Sequence, residues 1–193
     1  MRNLTLLSPL AVALRSRTEA LVALFDNVAK ARMAGVPILN PALRVEALGF
    51  ELCDGDGAEA GGTHGAVGVL VTPWFMNLVW FPLERIDQPE RAGNSRVHQV
   101  GTEGFDFIAG HEAAFGSYEA CSLFSPMFEF PDQAAASATG AAVLAALRQP
   151  PAPAPVATPA LAVQGPAAPS KAADLAARRA FLFGRRSVAG EAT

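Results

Sequence analysis

The chain has 193 residues, which is enough for one domain and a tail but too few for two full-sized domains. Apolar residues make up 51% of it and charged residues 17%, with a net charge of −3, so the composition argues against a disordered acidic or basic protein. Because no run of 18 apolar residues occurs, we expect no transmembrane helix and no direct membrane insertion.

The first predicted element is a helix over residues 17–34, preceded by an N-terminal extension over residues 1–16. Ser16 and Glu19 have the spacing of a capping box, which favours a helix start at this point. Gly35 is a typical residue just beyond a helix end. One apolar stripe at helical spacing is formed by Leu21, Leu24, Phe25 and Val28.

The middle of the chain predicts short strands, because its apolar residues alternate or form brief runs between turn signals. Close spacing of these turns favours antiparallel neighbours joined by hairpins, and a sheet with one face packed against helices. The predicted strands are residues 47–52, Ala66–Val71, Trp74–Phe81, Arg96–Val100, Gly104–Ile108 and Tyr118–Phe124.

After the strands, residues 132–148 predict an Ala-rich helix, and residues 149–170 a Pro/Ala-rich linker without charge. Residues 171–193 predict a basic and aromatic C-terminal helix with a tail. The expected fold class is α+β, with residues 17–148 as a single domain. Its elements are an N-terminal helix, an antiparallel sheet of five to six strands, an Ala-rich helix, the linker, and a C-terminal helix packing back on the sheet.

Charge is distributed unevenly along the chain. Residues 1–45 carry six bases and two acids, residues 46–132 three bases and 14 acids, and residues 171–193 five bases and two acids. The middle therefore has a net charge of −11 between basic ends, which argues against nucleic acid as the partner. Such a surface is commonly no more than a solvated face, but it would also attract a basic peptide.

Catalytic and metal-binding patterns are not evident in the sequence. The histidines His64, His98 and His111 show no metal-ligand spacing on one element, and Cys53 lies far from Cys121. We therefore predict no catalytic site, no metal and no cofactor. A thiol-dependent activity of Cys121 remains an alternative, since folding could bring a histidine close to it.

Three segments carry a resemblance to a known family. They are Val71-Thr-Pro-Trp74 with Phe81-Pro82, Ala120-Cys-Ser-Leu-Phe-Ser-Pro126, and Ala177-Arg-Arg-Ala-Phe-Leu-Phe-Gly-Arg-Arg-Ser187. At these segments the chain resembles the HybE/HupJ/HoxT family of [NiFe]-hydrogenase assembly chaperones. The similarity covers roughly residues 17–148 and 175–188.

The resemblance implies a cytoplasmic chaperone without enzymatic activity. Its expected partners are the hydrogenase small-subunit precursor, with a twin-arginine signal and iron–sulfur clusters, and the large subunit, which it would bind to coordinate assembly before export. Some relatives are fused to a rubredoxin, but this chain has no CxxC pair for that iron site. The alternatives are a general twin-arginine signal-peptide binder and a redox protein that uses Cys121.

Client contact is expected within or beside these segments, since Met and aromatic side chains at strand ends form either core or an adaptable apolar surface. The doubled C-terminal arginines are expected to dock to the domain or to the client. The predicted contacts are Trp74, Met76, Phe81, Leu123, Pro126 and Met127, with Arg178, Arg179, Arg185 and Arg186.

Overall fold

The computed structural model describes residues 8–54, 64–101 and 103–149, and within these ranges it contains two α-helices, one short 3-10 helix and six strands. The predicted linker beyond residue 149 and the predicted C-terminal helix lie outside the described residues. The elements are α1 Pro9–Ala31, β1 Glu46–Asp54, β2 His64–Val71, β3 Met76–Pro82, the 3-10 helix Pro89–Arg91, β4 Ser95–Val100, β5 Glu103–Glu112, β6 Gly116–Phe124 and α2 Gln133–Arg148.

Helix α1 begins at Pro9, eight residues before the predicted start, and ends at Ala31. The capping-box prediction at Ser16 is wrong, because the N-cap is Ser8, whose hydroxyl accepts a hydrogen bond from the Ala11 amide at 3.2 Å. Proline suits the first helical position, where its missing N–H costs nothing. Residues 9–16, predicted as part of an extension, are therefore the first turns of α1.

The six strands form one antiparallel sheet in the order β1-β2-β3-β6-β5-β4. Four of the five pairings join consecutive strands, as hairpin spacing predicts. The fifth pairs β3 with β6, placing Leu78 opposite Cys121 and Trp80 opposite Glu119. The chain therefore crosses from β3 to the far edge of the sheet before returning. The predicted α+β class with an antiparallel sheet of five to six strands is confirmed, and the sheet has six.

Both faces of the sheet are covered, which corrects the expectation of helices on one face. Helix α1 packs its predicted apolar stripe on one face, against residues that include Leu70, Val79 and Phe81. Helix α2 packs on the other face, against a cluster that includes Val69 and Leu78. Because alternate residues of β2 and β3 point into these two cores, both strands are buried along almost their whole length.

Helix α2 begins where it was predicted to begin. The carboxylate of Asp132 caps it by accepting a hydrogen bond from the Ala135 amide at 2.8 Å. Gly140 lets the helix lie close to the sheet, since a Cβ atom at this position would sit 2.7 Å from the side chain of Leu48. Small side chains on the apolar face of α2 are therefore enough to cover the sheet, because the helix backbone lies close to the strands.

Candidate functional site

The turn between β2 and β3 contains the first of the three segments singled out in the sequence. Its conformation is held by Thr72, whose buried hydroxyl accepts hydrogen bonds from the amides of Trp74 and Phe75 and donates one to the Phe75 carbonyl. The strand starts only at Met76, so Trp74 lies in the turn and not in the strand. Its indole packs near the ring of Phe25 on α1, with centroids 6.5 Å apart.

Asn40 connects this turn to the loop that follows the second segment. Its amide group donates to the carbonyls of Met127 and Phe130, at 3.0 and 2.8 Å, and its backbone N–H donates to the Pro73 carbonyl at 2.8 Å. Asn40 is only 7% exposed, so each of these hydrogen bonds is protected from water. Three loops at one end of the sheet, residues 35–43, 72–75 and 125–131, are thereby fixed to one another.

Exposed apolar side chains lie on these fixed loops. Phe128 is 58% exposed and Ile38 is 42% exposed, and Pro126 is also exposed. We call Ile38, Pro126 and Phe128 the apolar rim. Rigid loops that present apolar groups to solvent are suited to binding another protein, because little conformational freedom is lost when a partner binds.

The predicted contact residues divide between this rim and the core below it. Pro126 belongs to the rim and Leu123 is partly buried, while Trp74, Met76 and Met127 are buried in or beside these loops. Phe81 is buried at the other end of β3. Client contact through these side chains stays a prediction. Arg178, Arg179, Arg185 and Arg186 lie outside the described residues. Phe128 and Ile38 were missed, although Phe128 lies only two residues after the second segment.

A second polar feature is a buried ionic cluster centred on Glu119, which is 6% exposed. The Nε2–H of His98 donates to its carboxylate, and Nη1 of Arg96 lies 3.8 Å from Oε1. The imidazole of His98 also stacks on the indole of Trp80, with centroids 5.0 Å apart. Burial opposes ionisation of Glu119, but the His98 hydrogen bond and the charges of His98, Arg96 and Arg91 outweigh it and lower its pKa.

Replacing Glu119 with Gln is expected to reduce the loss of unfolding free energy at low pH. A carboxyl group whose pKa is lowered by folding stabilises the protein above its unfolded-state pKa, and that contribution disappears as the pH falls through the folded-state pKa. Urea unfolding from about pH 7 to about pH 2 should show a steeper loss of unfolding free energy for the wild type than for E119Q, with the difference below the unfolded-state pKa. E129Q, at an exposed position, controls for loss of one negative charge. If the unfolding free energies of the wild type and E119Q changed in parallel with pH, the pairing of Glu119 with His98 and Arg96 would be contradicted.

Cys121 does not have the surroundings of an activated thiol. Burial raises the pKa of its thiol, and the negative charge of Asp106 raises it further. A reactive cysteine needs the opposite shift, because the thiolate is the nucleophile. The burial of Cys121 near Asp106 therefore favours a packing role over the redox alternative.

Residues 8–54, 64–101 and 103–149 hold no group of three or more His, Cys, Asp or Glu side chains placed to bind a metal ion. Across the same ranges, none of the helices combines the length and the apolar character that crossing a membrane requires.

Comparison with known proteins gives consistent matches. A family model described as "[NiFe]-hydrogenase assembly, chaperone, HybE" matches residues 16–184. The chain is 43% identical over 181 residues to Protein HoxT of Cupriavidus necator, covering 91% of this chain and 92% of that protein. It is 40% identical over 126 residues to the hydrogenase expression/formation protein HupT of Azotobacter chroococcum, covering 65% and 78% of the two chains. The solution structure of HybE from Escherichia coli matches with a TM-score of 0.45 and 19% identity, over 89% of this chain and 91% of that one.

Proposed function

Because the chain belongs to the HybE family of [NiFe]-hydrogenase assembly chaperones, we propose that it binds immature hydrogenase subunits in the cytoplasm and coordinates their assembly before export. The small-subunit precursor, with its twin-arginine signal and iron–sulfur clusters, is the first proposed partner, and the large subunit is the second. The proposed role is binding without catalysis. The observation that carries it is the family match, which spans residues 16–184.

The apolar rim supports a binding role for this surface. An immature subunit exposes apolar surface that is later buried, and contact with exposed apolar groups shields that surface from water. Burying one Phe side chain contributes about 1.5–3 kcal/mol, so Phe128 alone accounts for roughly tenfold or more in affinity. Asn40 holds the loops of the rim in place before any client arrives.

Charge supports the choice of the small-subunit precursor. Residues 46–132 carry 14 acidic and three basic residues, and among the described acids several are exposed, including Glu84, Glu90 and Glu129. A twin-arginine signal is basic, and opposite charges accelerate encounter between two proteins. The interaction should therefore weaken with rising salt, unlike the apolar contact at the rim.

The proposal is tested by co-purification of the full chain with unprocessed small and large subunits. The same experiment is repeated with the signal peptide deleted and with an unrelated export precursor. Association with the two hydrogenase subunits alone is the expected result. Association with every precursor would instead identify a general twin-arginine signal-peptide binder, and association with neither subunit would contradict the chaperone proposal.

A matched pair of variants tests the surface itself. Phe128→Ala is expected to weaken association about tenfold, because the exposed ring is lost while the loops stay fixed. Ile108→Ala is the control, since Ile108 is 59% exposed but lies on β5, outside the apolar rim. Equal affinity of both variants and the wild type would show that the rim is not the contact surface, without affecting the co-purification result.

A further inference from the structure

A pocket of about 260 Å³ lies between the β3–β4 connection and the face of the sheet on which α2 packs. Trp80 on β3 and Glu119 on β6 form its floor, since they are opposite each other in the sheet and lie on the same face. Gln88 and Arg91 reach it from the connection, and Arg96 from β4. The pocket is separate from the apolar rim, because Ile38, Pro126 and Phe128 do not line it.

The side chains that line the pocket have a net positive charge, whereas the surrounding part of the chain has a net negative charge. Its wall contains two guanidinium groups, those of Arg91 and Arg96, and one carboxylate, that of Glu119. The carboxylate is already engaged by His98 and lies near Arg96. The lining therefore has an excess of one positive charge inside a region, residues 46–132, whose net charge is −11. A local excess of positive charge attracts an anion.

The polar groups at the wall are mostly hydrogen-bond donors. The Ser117 hydroxyl accepts a hydrogen bond from the Gln88 amide at 3.0 Å, which leaves its own hydrogen to donate. Arg91 has five N–H donors, and its contact with the Gln88 side chain at 3.2 Å uses one of them. A carboxylate has only acceptors and matches a guanidinium group in geometry, so this wall is complementary to it.

We propose that this pocket binds the free carboxyl end of a polypeptide. Its volume is below that of typical drug-sized sites, so it admits one side chain or chain end and not a larger ligand. The indole of Trp80 provides an apolar surface for the carbon atoms next to the carboxylate. Arg91 makes the direct contact, and Glu119 positions Arg96 at the wall.

The test uses the full chain and two short peptides of Ala and Leu, identical except that one has a free carboxyl end and the other an amide. Binding is followed by tryptophan fluorescence and by calorimetry. The free acid is expected to bind at least about tenfold more tightly than the amide. Arg91→Gln should remove this preference. Arg85→Gln is the matched control, because Arg85 is an exposed arginine of the same connection that does not line the pocket.

Three results with the peptides would overturn the proposal. They are equal binding of both peptides, an unchanged preference in R91Q, and tighter binding of a basic peptide than of the free acid. Inorganic phosphate is measured in the same way, and binding of phosphate without binding of the peptide acid would also overturn it. The pocket proposal does not depend on the chaperone proposal, since the peptides test the isolated chain and co-purification tests the hydrogenase subunits.

Discussion

Replacing Phe81 with Ala is expected to lower the free energy of unfolding by about 3–5 kcal/mol, the range for removing a fully buried aromatic side chain. The ring of Phe81 is stacked on Phe50 with centroids 5.2 Å apart, and it meets the ring of Phe115 edge-on at 5.6 Å. Its loss would leave a cavity in the core under α1 that these neighbours cannot fill. Urea unfolding followed by circular dichroism measures the change.

Two further variants make this result informative about function. Phe81→Leu keeps most of the side-chain volume and should lower the free energy of unfolding by only about 1.5 kcal/mol. It therefore reports on this position even if F81A does not fold. Phe128→Ala should change stability by no more than about 0.5 kcal/mol, because its ring is 58% exposed. A loss below about 1 kcal/mol in F81A would contradict the core role of Phe81 and restore it as a candidate for surface contact.

Gly101→Ala is expected to destabilise the protein by more than about 3 kcal/mol, through a backbone clash in addition to backbone strain. Gly101 follows β4 and has a φ of +65°, a conformation that disfavours any residue with a Cβ atom. A Cβ atom there would lie 1.7 Å from the carbonyl oxygen of Leu147 in the last turn of α2. No side-chain rotation can relieve that overlap, so the end of α2 must move away.

Gly93→Ala separates the two contributions to this effect. Gly93 has a φ of +87°, yet a Cβ atom there would meet nothing within 4 Å. The G93A variant should therefore lose only about 1 kcal/mol of unfolding free energy, which is the cost of the backbone strain. The difference between G101A and G93A in urea unfolding measures the contact between the β4 end and α2. Equal losses in the two variants would mean that α2 does not approach Gly101 as closely as the structure shows.

The sequence was a good guide to the local elements. The stripe of Leu21, Leu24, Phe25 and Val28 predicted the buried face of α1. Alternation, or brief apolar runs between turn signals, predicted all six strands. Both signals depend on which neighbours along the chain share a face, and that is a local property of helix and strand geometry. The start of α1 was missed because Ser8-Pro9 and the capping box at Ser16 are both acceptable starts, and only the extended packing of α1 favours the earlier one.

Pairing of β3 with β6 was decided by the tertiary structure, because such a pairing depends on contacts far apart in the chain, and no periodicity records these. The same holds for the exposure of side chains. Phe81 and Phe128 are identical in type and close to the segments of interest, yet one is fully buried and the other is 58% exposed. The Arg91, Arg96 and Glu119 pocket likewise exists only because the β3–β4 connection folds over the sheet. The sequence by itself determined the elements and the family resemblance. The exposure of each side chain depends on how the elements and loops pack, so only the tertiary structure decided which side chains can contact a partner.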